Sequence, residues 1–449
     1  MEIKILHLSD LHFGSAPKDI DENEIPLINE VVDSFISKMN ETDGKELDPN
    51  FIIVSGDISN TADVNEFNDA TNFFKKLIEV FPNTQILFVP GNHDKKRFKK
   101  ISEIEKLELY KDLKQVCVSS EKSKQDELIK ELTEIIEGGN YDAVQVAVSK
   151  IEESKEKALE VKTSLDSLFD SLSSLAGISE AEDIKKEYDL KRENLFKSAE
   201  NIDNYCVENF NEYTTFVNLF YSTIVTRFIP IKIRNKALSN QLVKIVNFEE
   251  QKIIFVLLNT AWLCQNSKRD PGKLTLGDSI IKSIKKELQA KSDNLVISVM
   301  HHCPNSFQRN DILDRGLHMS NLGVINQFSD FILSGHEHGS HTKKPDFLDN
   351  EAQLLTAGTF YTGKKDEYSC SYYRINPKAG KVSMRNIKLN STLSISGEYY
   401  WTIEKEYVYP FTKPTELKNI NENLQKENNE IVAKIKRLKW LYKKRKASI

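Results

Sequence analysis

Six of the nine histidines (His12, His93, His301, His302, His336 and His338) directly follow apolar runs that read as strands, or the turns leaving them. Asp10, Asp57, Asn92 and Asp94 occupy the same kind of exit. Histidines placed by chance would scatter over helices and loops, yet the charged stretch 98–225 holds none. The stretch Ile86–Asp94, ILFVPGNHD, shows the pattern most compactly: an apolar run, a Pro-Gly turn, then three polar residues. Asn92 offers a neutral oxygen, His93 a group titrating near neutrality, and Asp94 a carboxylate. Side chains delivered at the carboxyl ends of strands sit where open α/β sheets bind ligands.

Imidazole and carboxylate without thiolate suit divalent zinc, manganese, iron or cobalt rather than calcium or a structural zinc. Seven candidate ligands exceed what one tetrahedral ion takes. They suit two ions sharing a carboxylate, about 3.5–4 Å apart.

The elements that must position these groups alternate. Residues 3–8 read as a strand opening into Asp10 and His12, which an extended segment would turn to the same side. An amphipathic helix over 25–40, a buried strand over 51–55 and a helix over 64–81 follow, giving β-α-β-α-β and a parallel sheet. From 101 to 225 the strand signal disappears and apolar residues recur at helical spacing. Two long antiparallel helices joined near 177–180 are expected, with a shorter pair before Gly138-Gly139. Such an insertion could be a helical decoration, a lid, a dimer arm or an arm that docks a protein partner. Strands resume at 242–248, 252–259, 294–300, 331–334, 353–357, 368–375 and 381–390. The expected domains are therefore 1–97 with 226–400, an insertion over 98–225, and a C-terminal extension over 401–449. That extension ends in a basic helix carrying Lys434, Lys436, Arg437, Lys439, Lys443, Lys444, Arg445 and Lys446.

Bulk properties set limits. With 449 residues, 39% hydrophobic and 29% charged, the chain reads as a globular protein with solvated helices and more than one core. No apolar run has the length of a membrane span, and no signal peptide opens the chain, so no membrane association is expected. Cys117, Cys206, Cys264, Cys303 and Cys370 are scattered, odd in number and without a CxxC pair. A reduced, cytoplasmic setting is expected. The net charge of −5 confines any nucleic-acid binding to a local patch.

Asp10-x-His12, Gly56-Asp57, Gly91-Asn92-His93-Asp94, His301 and Gly335-His336-x-His338 resemble, in order, the five motifs of the calcineurin-like metallophosphoesterases. Within that superfamily the pattern looks like the phosphodiesterase and DNA-repair-exonuclease branch. The resemblance covers 1–97 and roughly 225–390. It implies an α/β fold: a four-layer α/β/β/α sandwich of two mixed sheets, here with the long helical insertion and a C-terminal helix, and the site along one edge. It further implies that Asp10, His12 and His338 hold one metal ion, that Asn92, His301 and His336 hold a second, and that Asp57 bridges. Manganese is the leading expectation, with iron, zinc or cobalt as alternatives. A hydroxide between the ions is the implied nucleophile, and His93 the group that stabilises charge or protonates the leaving oxygen. His301 directly follows its strand and is preferred to His302 as a ligand, which leaves His302 near substrate. Arg309, Arg315 and His318 are candidate phosphate-reading groups in the loop beyond. Cys303 is expected to be a small buried residue, and Glu337 to turn away from the histidines that flank it.

One departure matters. Phosphoprotein phosphatases of the superfamily carry an aspartate three residues beyond the bridging one, in Gly-Asp-x-x-Asp-Arg-Gly, where this chain reads Gly56-Asp57-Ile58-Ser59-Asn60-Thr61-Ala62. Phosphoprotein substrates are discounted accordingly. Three functions remain: a phosphodiesterase for nucleotide-type small molecules, a nuclease on DNA or RNA gripping backbone through the basic tail with Trp440 and Tyr442, and a metal-bearing scaffold that docks a partner.

Overall fold

The computed structural model describes residues 2–17, 25–96, 107, 110–112, 178–195, 199–223, 233–239, 243–248, 253–264, 272–288, 294–313, 319–337, 346–347, 352–363, 367–390 and 399–410. The chain divides into two compact units, one of Met1–Lys96 with Cys206–Ile449 and one of Arg97–Tyr205.

In the first unit the described strands are, in chain order, β1 (Ile3–Leu8), β2 (Phe51–Val54), β3 (Gln85–Phe88), β4 (Ile233–Ser239), β5 (Val243–Phe248), β6 (Ile253–Leu258) and β7 (Leu295–Val299). They continue with β8 (Phe331–Ser334), β9 (Asp346–Phe347), β10 (Gln353–Thr356), β11 (Ser369–Asn376), β12 (Lys381–Leu389), β13 (Trp401–Ile403) and β14 (Tyr407–Pro410). One mixed sheet has the order β13-β12-β11-β1-β2-β3, with β14 also on β12; the other runs β4-β5-β6-β7-β8-β10-β9.

The two sheets pack face to face because alternate residues of each strand are apolar on the inner side. Ile5 pairs with Phe51, and Phe51 with Gln85, so Ile3, Ile5, Phe51, Ile53 and Leu87 share one inner face. Against them lie Phe248, Phe255, Ile297, Val299 and Leu333 of the second sheet. The Phe51 ring lies 4.8 Å from Phe248 and 4.9 Å from Phe255, at tilted to perpendicular angles that suit aromatic quadrupoles. β1, β2 and β3 run parallel, as do β6, β7 and β8. The polar clusters at their carboxyl ends therefore emerge at common sheet edges.

Helices close the outer faces. α1 (Ile28–Asn40) buries Val31, Val32, Phe35 and Met39, and the single turn α2 (Thr42–Lys45) follows it. α3 (Val64–Val80) buries Phe67, Ala70, Phe73, Phe74, Leu77 and Ile78, a stripe at three- and four-residue spacing. Asp63 caps α3 by accepting the Asn65 N–H at 2.8 Å. On the second sheet's side lie α7 (Asp278–Leu288), the turn α8 (Arg309–Ile312) and α9 (Asn321–Phe328), numbered after three helices of the 178–223 region.

That region differs from expectation. The second apolar series is carried by three helices, α4 (Ile178–Leu195), α5 (Ala199–Asn209) and α6 (Asn211–Thr223), rather than one. α5 ends where the Asn209 carbonyl accepts the Lys96 N–H at 2.9 Å, a bond from outside the helix. α6 packs on the sandwich: Phe216 stacks on Phe67 at 5.3 Å, Phe220 meets Phe88 edge-on, and the Tyr221 hydroxyl donates to the Ile86 carbonyl at 2.7 Å. α4 lies in the other unit, and residues 113–177, which include the first expected long helix, fall outside the described residues.

The first sheet also runs past residue 400. β13 and β14 pair antiparallel with β12, and Trp401 stacks on Phe360 at 5.2 Å while donating its Nε1–H to the Val31 carbonyl at 3.2 Å. The expected basic helix, from about 415 onward, lies outside the described residues, as does all of 411–449. None of the described helices is long and apolar enough to cross a membrane.

Candidate active site

Three exits of the first sheet are tied together by backbone. Asp10 N–H donates to the Gly56 carbonyl at 3.1 Å, and the Leu11 and His12 amides both donate to the Asp57 carbonyl, at 2.8 and 2.9 Å. The His93 amide donates to Asp57 Oδ1 at 2.8 Å. Asp10 and His12 do not occupy an extended segment. Their φ values are 54° and 45°, and those of Asp57 and His336 are 52° and 71°. Left-handed backbone at four non-glycine positions, all in one cluster, is strain held by the surrounding fold for the sake of where the side chains point.

Two glycines permit the close approach. Gly56 has φ 101°, and a Cβ there would stand 2.7 Å from His301 Nδ1. A Cβ on Gly91 would collide with Asp57 Oδ1. Side chains at either position would push the bridging candidate and its neighbour apart.

The polar groups converge on one spot. His301 Nδ1 lies 2.8 Å from the Ser55 carbonyl, so that nitrogen must carry the proton and donate it. Nε2 then carries the lone pair, and it lies 3.3 Å from Asp57 Oδ2, 3.1 Å from Asn92 Oδ1 and 3.1 Å from His336 Nδ1. His12 Nε2 stands 3.9 Å from both Asp10 Oδ1 and Asp57 Oδ2, and the His336 amide donates to Asp10 Oδ2 at 3.1 Å. Ligand atoms within 4.8 Å of one another occur in three groups: Asp10, Asp57 and His301; His12, Asp57 and His93; His301, His302 and His336. His338 lies outside the described residues.

This donor set fits divalent cations. Asn92 Oδ1 and His301 Nε2 are both acceptors in this tautomer, yet they face each other in a buried place. Positive charge between or beside them makes that arrangement favourable. The electrostatics of the cluster agree. Burial opposes charge on Asp57, but the imidazoles of His301, His93 and His12 hold its carboxyl well below the usual range. Burial likewise opposes charge on His301, and the Asp57 carboxylate overcomes it, raising His301 to about 9. The cluster draws in positive charge, as a proton or as a metal ion.

His302 is differently engaged. It is fully buried, with Nδ1 2.9 Å from Thr260 Oγ1 and Nε2 3.3 Å from Cys264 Sγ. Burial first, then the charges of His301 and His336, hold it well below the usual histidine range, so it stays neutral. Its ring lies 4.6 Å from that of His336. Cys303 is buried against Ser334 and the Gly335 carbonyl, and burial pushes its thiol up to about 11. Glu337 is exposed and accepts from Asn305 Nδ2 at 3.0 Å, tying together the loops after β7 and β8. Arg309 is exposed at the start of α8; Arg315 and His318 lie outside the described residues.

Several partners were invisible in the sequence. Asp94 is buried, with Oδ1 accepting from the Ser59 amide at 2.8 Å and Oδ2 from the Gly91 amide at 2.9 Å. Burial and then the Asp57 charge push it up to about 7. It binds the β2 exit to the β3 exit. Lys95, also buried, donates Nζ to the Trp262 and Cys264 carbonyls at 3.1 and 2.6 Å, which anchors the loop that holds His302. Asn259-Thr260, at the end of the apolar β6 run, repeats the strand-exit pattern without a histidine and was the signal for that loop.

Two facing mixed sheets, helices outside and a histidine-carboxylate cluster at the strand exits define a metallophosphoesterase site. The chain belongs to the calcineurin-like phosphoesterases, whose family model matches residues 3–340. Comparison with curated proteins finds no match. Among solved structures it resembles a dimetal phosphatase from Danio rerio (9% identity, 91% of this chain, 99% of that one, TM-score 0.38). It also resembles a purple acid phosphatase from yellow lupin seeds (9% identity, 93% and 55%, TM-score 0.39). A third is a putative 5'-nucleotidase from Staphylococcus aureus (11% identity, 92% and 55%, TM-score 0.33). The chain spans about half the length of the last two.

Proposed function

We propose that the chain is a binuclear-metal-dependent phosphoesterase that hydrolyses phosphodiesters of nucleotide type. The observation that carries this is His301. Its proton is committed to the Ser55 carbonyl, and its lone pair is aimed among Asp57, Asn92 and His336. Asp10, His12 and His338 would hold one ion, Asn92, His301 and His336 the other, with Asp57 shared between them. When bound, such ions supply Lewis acidity and a water of lowered pKa. Manganese is the preferred metal.

His93 stabilises the developing charge or protonates the leaving oxygen. Its Nδ1–H is committed to the Asn60 carbonyl at 2.7 Å, so proton exchange falls to Nε2. His302, Arg309, Arg315 and His318 are the proposed substrate contacts. His302, buried beside His336, is proposed near the substrate, and the three others read the phosphate. Asn60 in place of an aspartate supports the exclusion of phosphoprotein substrates. A nuclease is the second reading, supported by the eight cationic residues between Lys434 and Lys446 with Trp440 and Tyr442 among them. We place the protein in the cytoplasm and keep a helical decoration, a lid, a dimer arm and a partner-docking arm as the roles of the insertion, of which light scattering of the full chain tests the dimer arm.

The test of substrate is a panel on metal-stripped, manganese-reloaded protein: a chromogenic diester, a chromogenic monoester, cyclic AMP, and single- and double-stranded DNA. Cleavage of small diesters with DNA left intact supports the first reading. DNA cleavage that is lost on removing 434–449 supports the second. Turnover of the monoester alone overturns both.

A further inference from the structure

His93 lacks the aspartate that could orient it, yet its Nδ1–H is held at 2.7 Å by the Asn60 carbonyl. That carbonyl belongs to the same peptide group as the Thr61 N–H, and the Thr61 N–H donates to Glu66 Oε2 at 2.8 Å. One planar amide thus has an imidazole on its oxygen and a carboxylate on its nitrogen.

Glu66 has an ordinary duty as the third residue of α3, where it completes a capping box with Asp63. Capping asks only for the Asp63 N–H, and that bond is the longest it makes, 3.3 Å. The shorter ones reach upstream, to the Thr61 amide and hydroxyl, both at 2.8 Å, and to the Asn60 amide at 3.1 Å. Four donors converge on its two oxygens, an acceptor's role that suits a carboxylate. Glu66 is buried, and Gly14, with φ 89°, lies against it so closely that a Cβ there would stand 2.6 Å from Cδ. The carboxylate is therefore wedged between the β1 exit and the loop that carries Asn60.

We propose that Glu66 is a positioning residue that acts on His93 through the Asn60–Thr61 peptide group, doing from one amide away what a directly bonded carboxylate does. A charged acceptor on the amide N–H polarises the carbonyl, and hydrogen bonds in series strengthen one another. The effect is to fix the Nδ1–H tautomer and the ring plane, so that Nε2 is held toward the leaving oxygen. The role rests on His93 acting as proposed above, whereas the relay geometry does not.

The test compares Glu66→Gln with Asp63→Ala, which removes the side-chain cap on the Asn65 and Glu66 amides but leaves the Glu66 carboxylate and its bonds to Thr61 and Asn60 in place. In metal-free protein labelled with 15N-histidine, the His93 Nδ1–H resonance moves upfield in Glu66→Gln and stays in place in Asp63→Ala. In manganese-loaded protein, Glu66→Gln loses about tenfold in kcat on aryl esters with poor leaving groups and under about twofold on 2,4-dinitrophenyl esters, with KM unchanged. Uniform loss across leaving groups, or the same resonance shift in both variants, reduces Glu66 to a cap and overturns the proposal. In wild-type protein, through-hydrogen-bond coupling between the Thr61 amide nitrogen and the Glu66 carboxyl carbon reads the first link without any variant, and its absence overturns the relay. Wild-type protein that is silent on every ester would refute the proposed function and leave the resonances to decide the relay.

Discussion

His301 donates its Nδ1–H to the carbonyl of Ser55, 246 residues earlier, at 2.8 Å, and this contact joins the two sheets at the site. It fixes which nitrogen can bind a cation. His301→Ala removes the ring, and with it both the bond to Ser55 and the lone pair in that place. Metal analysis of this variant should show one ion fewer per chain than wild type, with hydrolysis down about 100-fold or more.

Gly91 stands so close to Asp57 that a methyl group would displace its carboxylate. Gly91→Ala should cost about 1–3 kcal/mol of stability as the β2 and β3 exits separate, and should weaken metal binding about 10- to 100-fold. Denaturant melts and a metal titration read the two effects separately. Unchanged metal affinity would mean that Asp57 is not a ligand.

His7 sets an acid limit on stability. It is buried beneath the site with Nε2 2.9 Å from Ser55 Oγ, and burial, opposed by the Asp10 carboxylate, lowers it to about 3. In the unfolded chain it titrates near 6.5. Above that pH both states are neutral there and its favourable contribution is complete. Below it the unfolded state takes a proton that the folded state refuses, so stability is lost as pH falls from about 6.5 toward 3. The slope is about 1.4 kcal/mol per pH unit from this group. His7→Leu should flatten that slope in melts of metal-free protein; an unaltered slope would show that other groups set the acid limit.

Trp401 tests the extent of the first sheet. It lies 4.9 Å from Phe35 and 5.2 Å from Phe360, fully buried beyond the end of β12. Trp401→Ala should destabilise the fold by about 3–5 kcal/mol. A truncation at residue 400 should be equally damaging.

The parts legible in the sequence were those whose physics is local. β1, β2, β3, β6, β7 and β8 are buried on both faces, so each reads as an apolar run, and the polar cluster at its end stands out against it. β13 and β14 are short strands on one side of β12, with exposed positions alternating along them, and their sequence is no different from a loop's. β4, IRNKALS, lacks an apolar run altogether. At the site, side chains announced themselves and backbone did not. The Ser55 and Asn60 carbonyls that set the tautomers of His301 and His93 are chemically anonymous in a sequence. Asp10 and His12 were read as neighbours on an extended strand; a left-handed turn brings them together instead, because the β1 exit is folded onto the Gly56 and Asp57 carbonyls. Asp94, which the sequence offers only as a carboxylate beside Asn92 and His93, spends both oxygens on joining loops.

The central claim is that Asp57 joins two metal ions into one hydrolytic centre. Calorimetric titration of manganese into metal-stripped wild type and Asp57→Asn, with diester hydrolysis followed at each addition, tests it most directly. The account predicts two ions per wild-type chain, hydrolysis that rises with the second, and an Asp57→Asn chain that binds one ion at most and stays inactive. Equal stoichiometry in the two proteins, or hydrolysis that persists without Asp57, would contradict it.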